Sequence, residues 1–372
     1  MTARRTPFVN LEPGEDAAAV RVAIDRVLAR GWFILGPEVA AFEMQFAAAC
    51  GAPHAIGVGN GTDALALVLR AIGIGPGDEV ITSPLSAAFT ALAIAMVGAR
   101  PVFADIDPDR LTLDPAAAAA AITPRTAGIM PVHLYGQAAD MSAFVQIAQR
   151  HGLALIEDCC QAHLATCAGR PVGTFGVAGA FSFYPTKNLG ALGDGGAIVT
   201  LDAALADRLR RLRNGGMATR DEHLEAGVNS RLDELQAAVL CARLPLLRGW
   251  TTRRRAIAAI YRAGLADAPV LVPPECDAGH VYHLFPIRST ERVALRAHLA
   301  AQGIDTLIHY ATPIPRQPAF AATDPADCPI AARVCGEVLS LPLYPALGND
   351  DTASVVAAVS SFPARRDAGV AR

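Results

Sequence analysis

Apolar residues recur along this chain with two periods, one near 3.6 and one near 2, and their succession predicts its elements. Val20, Ala23, Ile24, Val27 and Leu28 share one helical face within residues 15–30, and Gly31 ends that helix. Trp32, Phe33, Ile34 and Leu35 lead through Gly36 and Pro37 into a second predicted helix over 38–48. From residue 54 short strand-like runs alternate with helical stretches: 54–58 before a helix at 64–71, 80–82 before 87–97, and 101–105 before an alanine-rich helix at 116–121. The runs 128–132 before 141–151, and then 153–158, continue the series. This alternation predicts an α/β fold, with helices on both faces of a mostly parallel sheet whose ligands gather at the carboxyl ends of the strands. Asp158 stands at one of those ends.

Beyond residue 239 the pattern changes. Residues 239–255 read as one long helix leaving the sheet, with Pro245 as a point of kinking. A strand-like run at 282–287 and a helix at 292–302 follow, so a smaller α+β unit is expected after a boundary near residue 250. The division is 1–250 and 251–372. Pro313, Pro315, Pro318, Pro325 and Pro329 make 311–329 an extended loop, and 365–372 read as a frayed end.

Composition narrows the function classes. The chain has 372 residues, long enough for two domains, and 52% of them are hydrophobic. Net charge is -3, from 32 basic and 35 acidic residues, and Arg253-Arg254-Arg255 is the one basic block that stands out, so no nucleic-acid partner is expected. Eight cysteines in a chain of this length are no disulfide framework, and a reducing cytoplasm is the expected location. Residues 1–10 lack the apolar core of a secretory signal. The uncharged run 80–99 is long enough to cross a bilayer, but Thr82, Ser83, Pro84, Ser86 and Thr90 interrupt it. It reads as strand, turn and buried helix.

Two glycine-rich turns carry candidate chemistry. In 57–65 a short strand runs through Gly57, Gly59 and Gly61 into a helix, whose unpaired first N–H groups and positive dipole end suit a phosphate. The spacing is not that of a dinucleotide fingerprint. In 179–190 Lys187 sits in a tight turn between two apolar runs, and a lysine held there loses its proton more easily and can attack a carbonyl. Cys159, Cys160, His163 and Cys167 invite comparison with a metal-ligand set. Adjacent cysteines rarely both reach one tetrahedral ion, so no metal is expected.

The string from Phe181 to Thr200, FSFYPTKNLGALGDGGAIVT, resembles the cofactor-lysine segment of the DegT/StrS family of sugar aminotransferases, which depend on pyridoxal phosphate. GNGTDAL at 59–65 and NSRLDELQAA at 229–238 are similar to two further motifs of that family, and the resemblance spans about residues 8–362. It implies the type I fold of the pyridoxal-phosphate transferases, with a large cofactor domain and a small C-terminal one. It also implies the following roles: Lys187 as the Schiff-base lysine, Asp158 at the pyridine nitrogen, Gln161 at the ring hydroxyl, and Gly61, Thr62 and Ser182 around the phosphate. Asn229 would reach the phosphate in the neighbouring subunit of a homodimer with shared sites, although an asparagine there could also cap a helix from Ser230. His163 is a candidate for orienting Asp158, although a lone histidine beside a sheet end is more often a satisfied core residue.

Two departures from the family pattern stand out. Ala87 falls where relatives place an aromatic residue over the cofactor ring, with Phe89 two residues too late, and Pro315 lies in a segment that relatives write HYP-x-P-x-H. Trp32, Phe33, Tyr184, His309 and Tyr310 are candidates for lining the substrate groove.

The activity implied is transfer of an amino group, with glutamate as donor, to a nucleotide-linked keto-deoxysugar. The cofactor alternates between pyridoxal and pyridoxamine phosphate. The resemblance of the GWFILGPEV arm favours a 3-keto over a 4-keto deoxyhexose, with a differently substituted sugar or a free keto cyclitol as the alternative substrate. A dehydratase of the same fold would carry histidine in place of Lys187. A non-catalytic sensor would have no need of Lys187, Asp158, Gln161, Ser182 and Asn229 together.

Overall fold

The computed structural model describes residues 5–12, 14–321 and 327–363. Seven strands form its main sheet: β1 (His54–Val58), β2 (Glu79–Thr82), β3 (Arg100–Phe103), β4 (Thr126–Met130), β5 (Ala154–Asp158), β6 (Ala178–Ser182) and β7 (Gly196–Thr200). Their order is β1-β7-β6-β5-β4-β2-β3, and β7 alone runs against its neighbours. The other pairings are parallel. The expected mostly parallel sheet is present, and the run 80–99 resolves into β2, a turn and the helix Phe89–Met96. Among the described residues no helix is long and apolar enough to cross a membrane.

Both faces of the sheet are covered, and the strands read as near-continuous apolar runs for that reason. Successive residues point to opposite faces. Ala55, Leu155, Phe181 and Val199 join one core with Phe42, Phe46 and Phe144. Their neighbours Ile56, Ile156, Ala180 and Ile198 join the other, with Leu65, Leu69 and Ile94. The helix expected at 64–71 starts earlier, at Gly61, because the Asn60 side chain accepts the Asp63 N–H and caps it. The first helix is Ala17–Arg30, closed by Gly31 at φ 70°. It buries Val20, Ala23 and Val27 and leaves Leu28 exposed, so its apolar face is narrower than the sequence pattern.

Side chains far along the chain hold these layers together. Glu234 is fully buried, and its carboxylate accepts N–H bonds from Gly36, Glu38 and Val39 at 2.8–2.9 Å. It closes the N-terminus of the helix Pro37–Ala49, where the helix dipole also favours an anion.

Residues 239–255 are not one helix. Glu234–Arg243 and Leu247–Gly264 are separate, joined by a 3-10 turn at Leu244–Leu246, because Pro245 has no N–H for the ladder. The second helix packs on β8 (Phe285–Arg288), which pairs antiparallel with β9 (Val338–Leu341), around Tyr261, Phe285, Leu295, Leu339 and Val355. The basic triplet is spent on carbonyls here. Arg253 donates to Leu347, buried Arg254 to Tyr282, His283 and Leu343, and Arg255 to His280. The start of the described chain lies against this part too, with Thr6 bridged to Ile304 and Arg5 paired with Asp305. The loop expected at 311–329 contains a 3-10 turn at Ile314–Arg316, and the tail 365–372 lies outside the described residues.

Glu234→Ala would leave three buried N–H groups without acceptors and should lower the free energy of unfolding by about 3 kcal/mol. Urea unfolding followed by circular dichroism measures this. A loss below about 0.5 kcal/mol would mean that water already solvates those groups.

Candidate active site

The segment 183–195 between β6 and β7 carries Lys187 and is tied at both ends. Phe183 N–H donates to Gly195 O and Ala191 N–H to Phe183 O, while the Lys187 N–H turns back to Tyr184 O at 2.8 Å. Phe181 and Phe183 pack edge-on against Phe42 and Phe46. The next residue, Asn188, reaches the C-terminal part, donating to Val281 O at 3.0 Å and meeting His283 Nδ1 at 3.2 Å. Among the described residues the Lys187 ammonium has neither a hydrogen bond nor an ion-pair partner. Burial lowers its pKa, against a weaker pull from the charges of Cys160 and Asp158. An amine with no partner and a lowered proton affinity is what a nucleophile or proton carrier needs.

Three imidazoles surround this lysine, and each is held neutral. Burial, with the Lys187 charge second, takes His163 to about 3 and His309 to about 4, and His283 falls well below the usual histidine range. His163 does not orient Asp158. Its Nε2–H donates to Ser182 O at 2.9 Å, and its buried Nδ1 has no partner.

Asp158 is oriented from elsewhere. Its Oδ2 accepts from the Thr90 hydroxyl at 2.7 Å and its Oδ1 from the Cys160 N–H at 3.0 Å. The preceding residue, Glu157, points to the opposite face of the sheet. There its carboxylate accepts from the N–H groups of Gly173, Phe175 and Gly176 and meets His133 Nε2. His133, Glu157 and Cys159 lie within 4.8 Å of one another, yet the glutamate oxygens are committed to the loop that they hold.

Gln161 bridges two parts of the molecule. Its Oε1 accepts the Tyr135 N–H at 2.8 Å, and its Nε2 donates to the Tyr310 hydroxyl at 3.0 Å. The Tyr135 hydroxyl in turn donates to His309 O. His309 Nδ1 lies 3.0 Å from Ser340 Oγ, and its ring faces Phe8.

The glycine turn lies against the same cleft. A Cβ on Gly61 would come within 2.8 Å of Cys160 Sγ and Ser182 Cβ, so only glycine lets the helix start approach so closely. Asn60 takes the Asp63 N–H, which leaves the N–H groups of Gly61 and Thr62 without an intrahelical acceptor. Glycine against the cleft, free N–H groups at a helix start, an unpartnered amine and an oriented carboxylate together fit a phosphorylated, nitrogen-containing aldehyde cofactor.

The structure thus brings together Lys187, Asp158, Gln161, Ser182, Gly61, Thr62, His309 and Tyr310. Tyr184 is 52% exposed beside them. Asn229 is exposed, bridged through its backbone to Asn214, and caps no helix, because the helix after it starts at Glu234 with Asp233 before it. Trp32 and Phe33 are exposed as well. Within one chain the Trp32 indole donates to Ile34 O, and Phe33 O accepts the Glu234 N–H. Phe89 is 61% exposed. Thr90, Tyr135 and Asn188 escaped the sequence reading. Thr90 lies inside an apolar helix, and only its buried position in that helix pointed to a partner.

Comparison with known proteins gives the same picture. The model of the DegT/DnrJ/EryC1/StrS aminotransferase family matches residues 15–360. The chain is 48% identical to a dTDP-3-amino-3,4,6-trideoxy-alpha-D-glucose transaminase of Streptomyces venezuelae, over 98% of this chain and 97% of that protein. It is also 48% identical, over 95% of this chain and 99% of the other, to a Saccharopolyspora erythraea protein named erythromycin biosynthesis sensory transduction protein EryC1. The crystal structure of S. venezuelae DesV in complex with a ketimine intermediate superposes with a TM-score of 0.94 at 48% identity, covering 98% of this chain and 100% of that one.

The neutral imidazoles make stability depend on pH. Each titrates lower in the folded chain than the ordinary 6.5, so the folded state binds fewer protons and stability present above that pH is lost as the pH falls toward 3. Below pH 6 the loss should approach about 1.4 kcal/mol per pH unit for each fully buried imidazole. Urea unfolding at pH 7 and pH 5 should show a smaller difference for His163→Gln than for the wild type. Equal differences would mean that His163 is already protonated in the folded chain.

Proposed function

The chain belongs to the DegT/DnrJ/EryC1/StrS aminotransferase family, and we propose that it transfers the amino group of glutamate to a nucleotide-linked 3-keto-deoxyhexose. It is a pyridoxal-phosphate-dependent aminotransferase of type I fold. The observation that carries the proposal is the unpartnered, desolvated amine of Lys187 in one cleft with the oriented carboxylate of Asp158. The relative from S. venezuelae is named for a dTDP-linked 3-amino sugar, which supports the choice of substrate.

When bound, pyridoxal phosphate supplies the carbonyl that exchanges the amino group and the electron sink that stabilises the carbanion. Lys187 Nζ would hold it covalently and, once free, carry the proton between the two carbons that exchange it. Asp158 would keep the pyridine nitrogen protonated by offering it a carboxylate. Gln161 Nε2 would face the ring hydroxyl, since its Oε1 is fixed on Tyr135. The N–H groups of Gly61 and Thr62 and the Ser182 hydroxyl would bind the phosphate, completed by Asn229 from a second copy of the chain. That last role gives a task to an exposed asparagine whose side chain has no hydrogen bond among the described residues, and makes the working unit a homodimer. Tyr184, His309 and Tyr310 would line the sugar side, with Trp32 and Phe33 reaching it from the arm. A purely regulatory role, which the name of the S. erythraea relative brings to mind, would give the desolvated lysine no task.

Lys187→Ala should abolish the visible cofactor absorbance and lower turnover at least about 10²-fold. Retained turnover would end the assignment of Lys187. Mixing Lys187→Ala chains with Asn229→Ala chains should restore activity to one of the two shared sites, whereas sedimentation as a monomer at working concentration would remove the basis for sharing. Substrate is tested by a panel of keto compounds with glutamate. Turnover of a free keto cyclitol and of no nucleotide-linked sugar would overturn the substrate and leave the reaction type intact.

A further inference from the structure

The Asp158 carboxylate accepts from a backbone N–H and from a hydroxyl before any cofactor is considered. One is the backbone N–H of Cys160 on Oδ1, which any residue at 160 other than proline would supply. The other is the hydroxyl of Thr90 on Oδ2, 68 residues away in sequence and 2.7 Å away in space, with Thr90 2% and Asp158 4% exposed. Thr90 lies in the first turn of the helix Phe89–Met96, whose positive end also favours an anion there. An ionised carboxylate can only accept, so the threonine must donate and its hydroxyl hydrogen is committed to Oδ2. Valine has nearly the same shape, so packing alone does not require a hydroxyl at this position.

We propose that Thr90 is a positioning residue of the transamination site, fixing the plane of the Asp158 carboxylate by a hydrogen bond to its charged form. The inference rests on the assignment of Asp158 to the pyridine nitrogen. A hydrogen bond to the charged form of a group favours that form. With Thr90 donating, the proton shared between carboxylate and ring stays on the ring. Without it, the charged form loses its donor on Oδ2 and the plane of the carboxylate is no longer fixed there. The other titratable groups whose charges reach Asp158 are Cys159, Cys160, Lys187 and Tyr310, of which the Cys160 thiol also hydrogen-bonds to the carboxylate, a contact that Thr90→Val leaves in place.

The test reads the ring rather than the rate alone. The protein is loaded with pyridoxal phosphate labelled with ¹⁵N in the ring, and the nitrogen resonance is recorded for wild type, Thr90→Val, Thr90→Ser and Asp158→Asn. Thr90→Val should move the resonance toward that of an unprotonated pyridine and lower kcat on the order of tenfold with little change in KM for the keto sugar. Thr90→Ser should return the resonance to its wild-type position. If valine does not pack, Thr90→Ala, which removes the same donor, should give the same displacement. A resonance unmoved in both the valine and alanine variants, while Asp158→Asn displaces it, overturns the role of Thr90 and leaves Asp158 in place. A resonance unmoved in Asp158→Asn overturns the assignment of Asp158 and this inference with it.

Discussion

Two carboxylates adjacent in sequence, at the end of one buried strand, govern how this molecule is arranged. The pleat of β5 sends Glu157 to one face of the sheet and Asp158 to the other. A buried carboxylate is costly unless its oxygens are satisfied, so each face must supply donors. On the Glu157 face the backbone of 173–176 folds in to provide three N–H bonds, with His133 as a fourth partner. On the Asp158 face the Thr90 hydroxyl and the Cys160 N–H donate. One carboxylate is therefore consumed by structure, while the other keeps acceptor capacity that faces the lysine cleft. Had the register slipped by one residue, their roles would exchange.

The lysine opposite is governed by what is missing around it. Several other buried charges among the described residues are met by backbone groups or ion pairs, as with Arg254 and its three carbonyl partners, or Glu79 between Arg100 and Arg125. Lys187 has no such partner among the described residues, and the imidazoles nearest to it are held neutral by burial and by its own charge. Three neutral rings stand around the amine, and the charges of Cys160 and Asp158 offset the cost of its burial only in part. Its position is nevertheless well defined, because the backbone on either side of it is bonded to β6, to β7 and, through Asn188, to the segment at 281–283.

That last link joins the cleft to the C-terminal part of the chain. Asn188 with Val281 and His283, Gln161 with Tyr310, and Tyr135 with His309 O form three separate polar connections between the sheet and the residues beyond 280. Each involves a residue on or beside the cleft. A shift of the C-terminal part would be felt at Asn188 and Gln161 before it was felt in the core, because polar contacts of fixed geometry yield less than apolar packing does.

Much of this was legible in the sequence. Alternating runs specified the parallel sheet, since strands covered on both faces must be apolar throughout. The helix expected at 141–151 is present with those bounds, closed by Gly152. The glycines around residue 61 and the turn around Lys187 were legible for the same reason: their chemistry is written in consecutive residues. The similarity of three short motifs to a known family then supplied the roles that spacing alone left open. The long helix over 239–255 was misjudged because a proline can kink a helix or end it, and neighbouring packing decides which. Only the tertiary structure decided which side chains satisfy which buried groups. Glu234 caps a helix 198 residues before it, Thr90 instead of His163 holds Asp158, and Gln161 is fixed by Tyr135. Those pairings depend on which polar atoms folding leaves without water, a condition imposed by distant parts of the chain and carried by no local pattern.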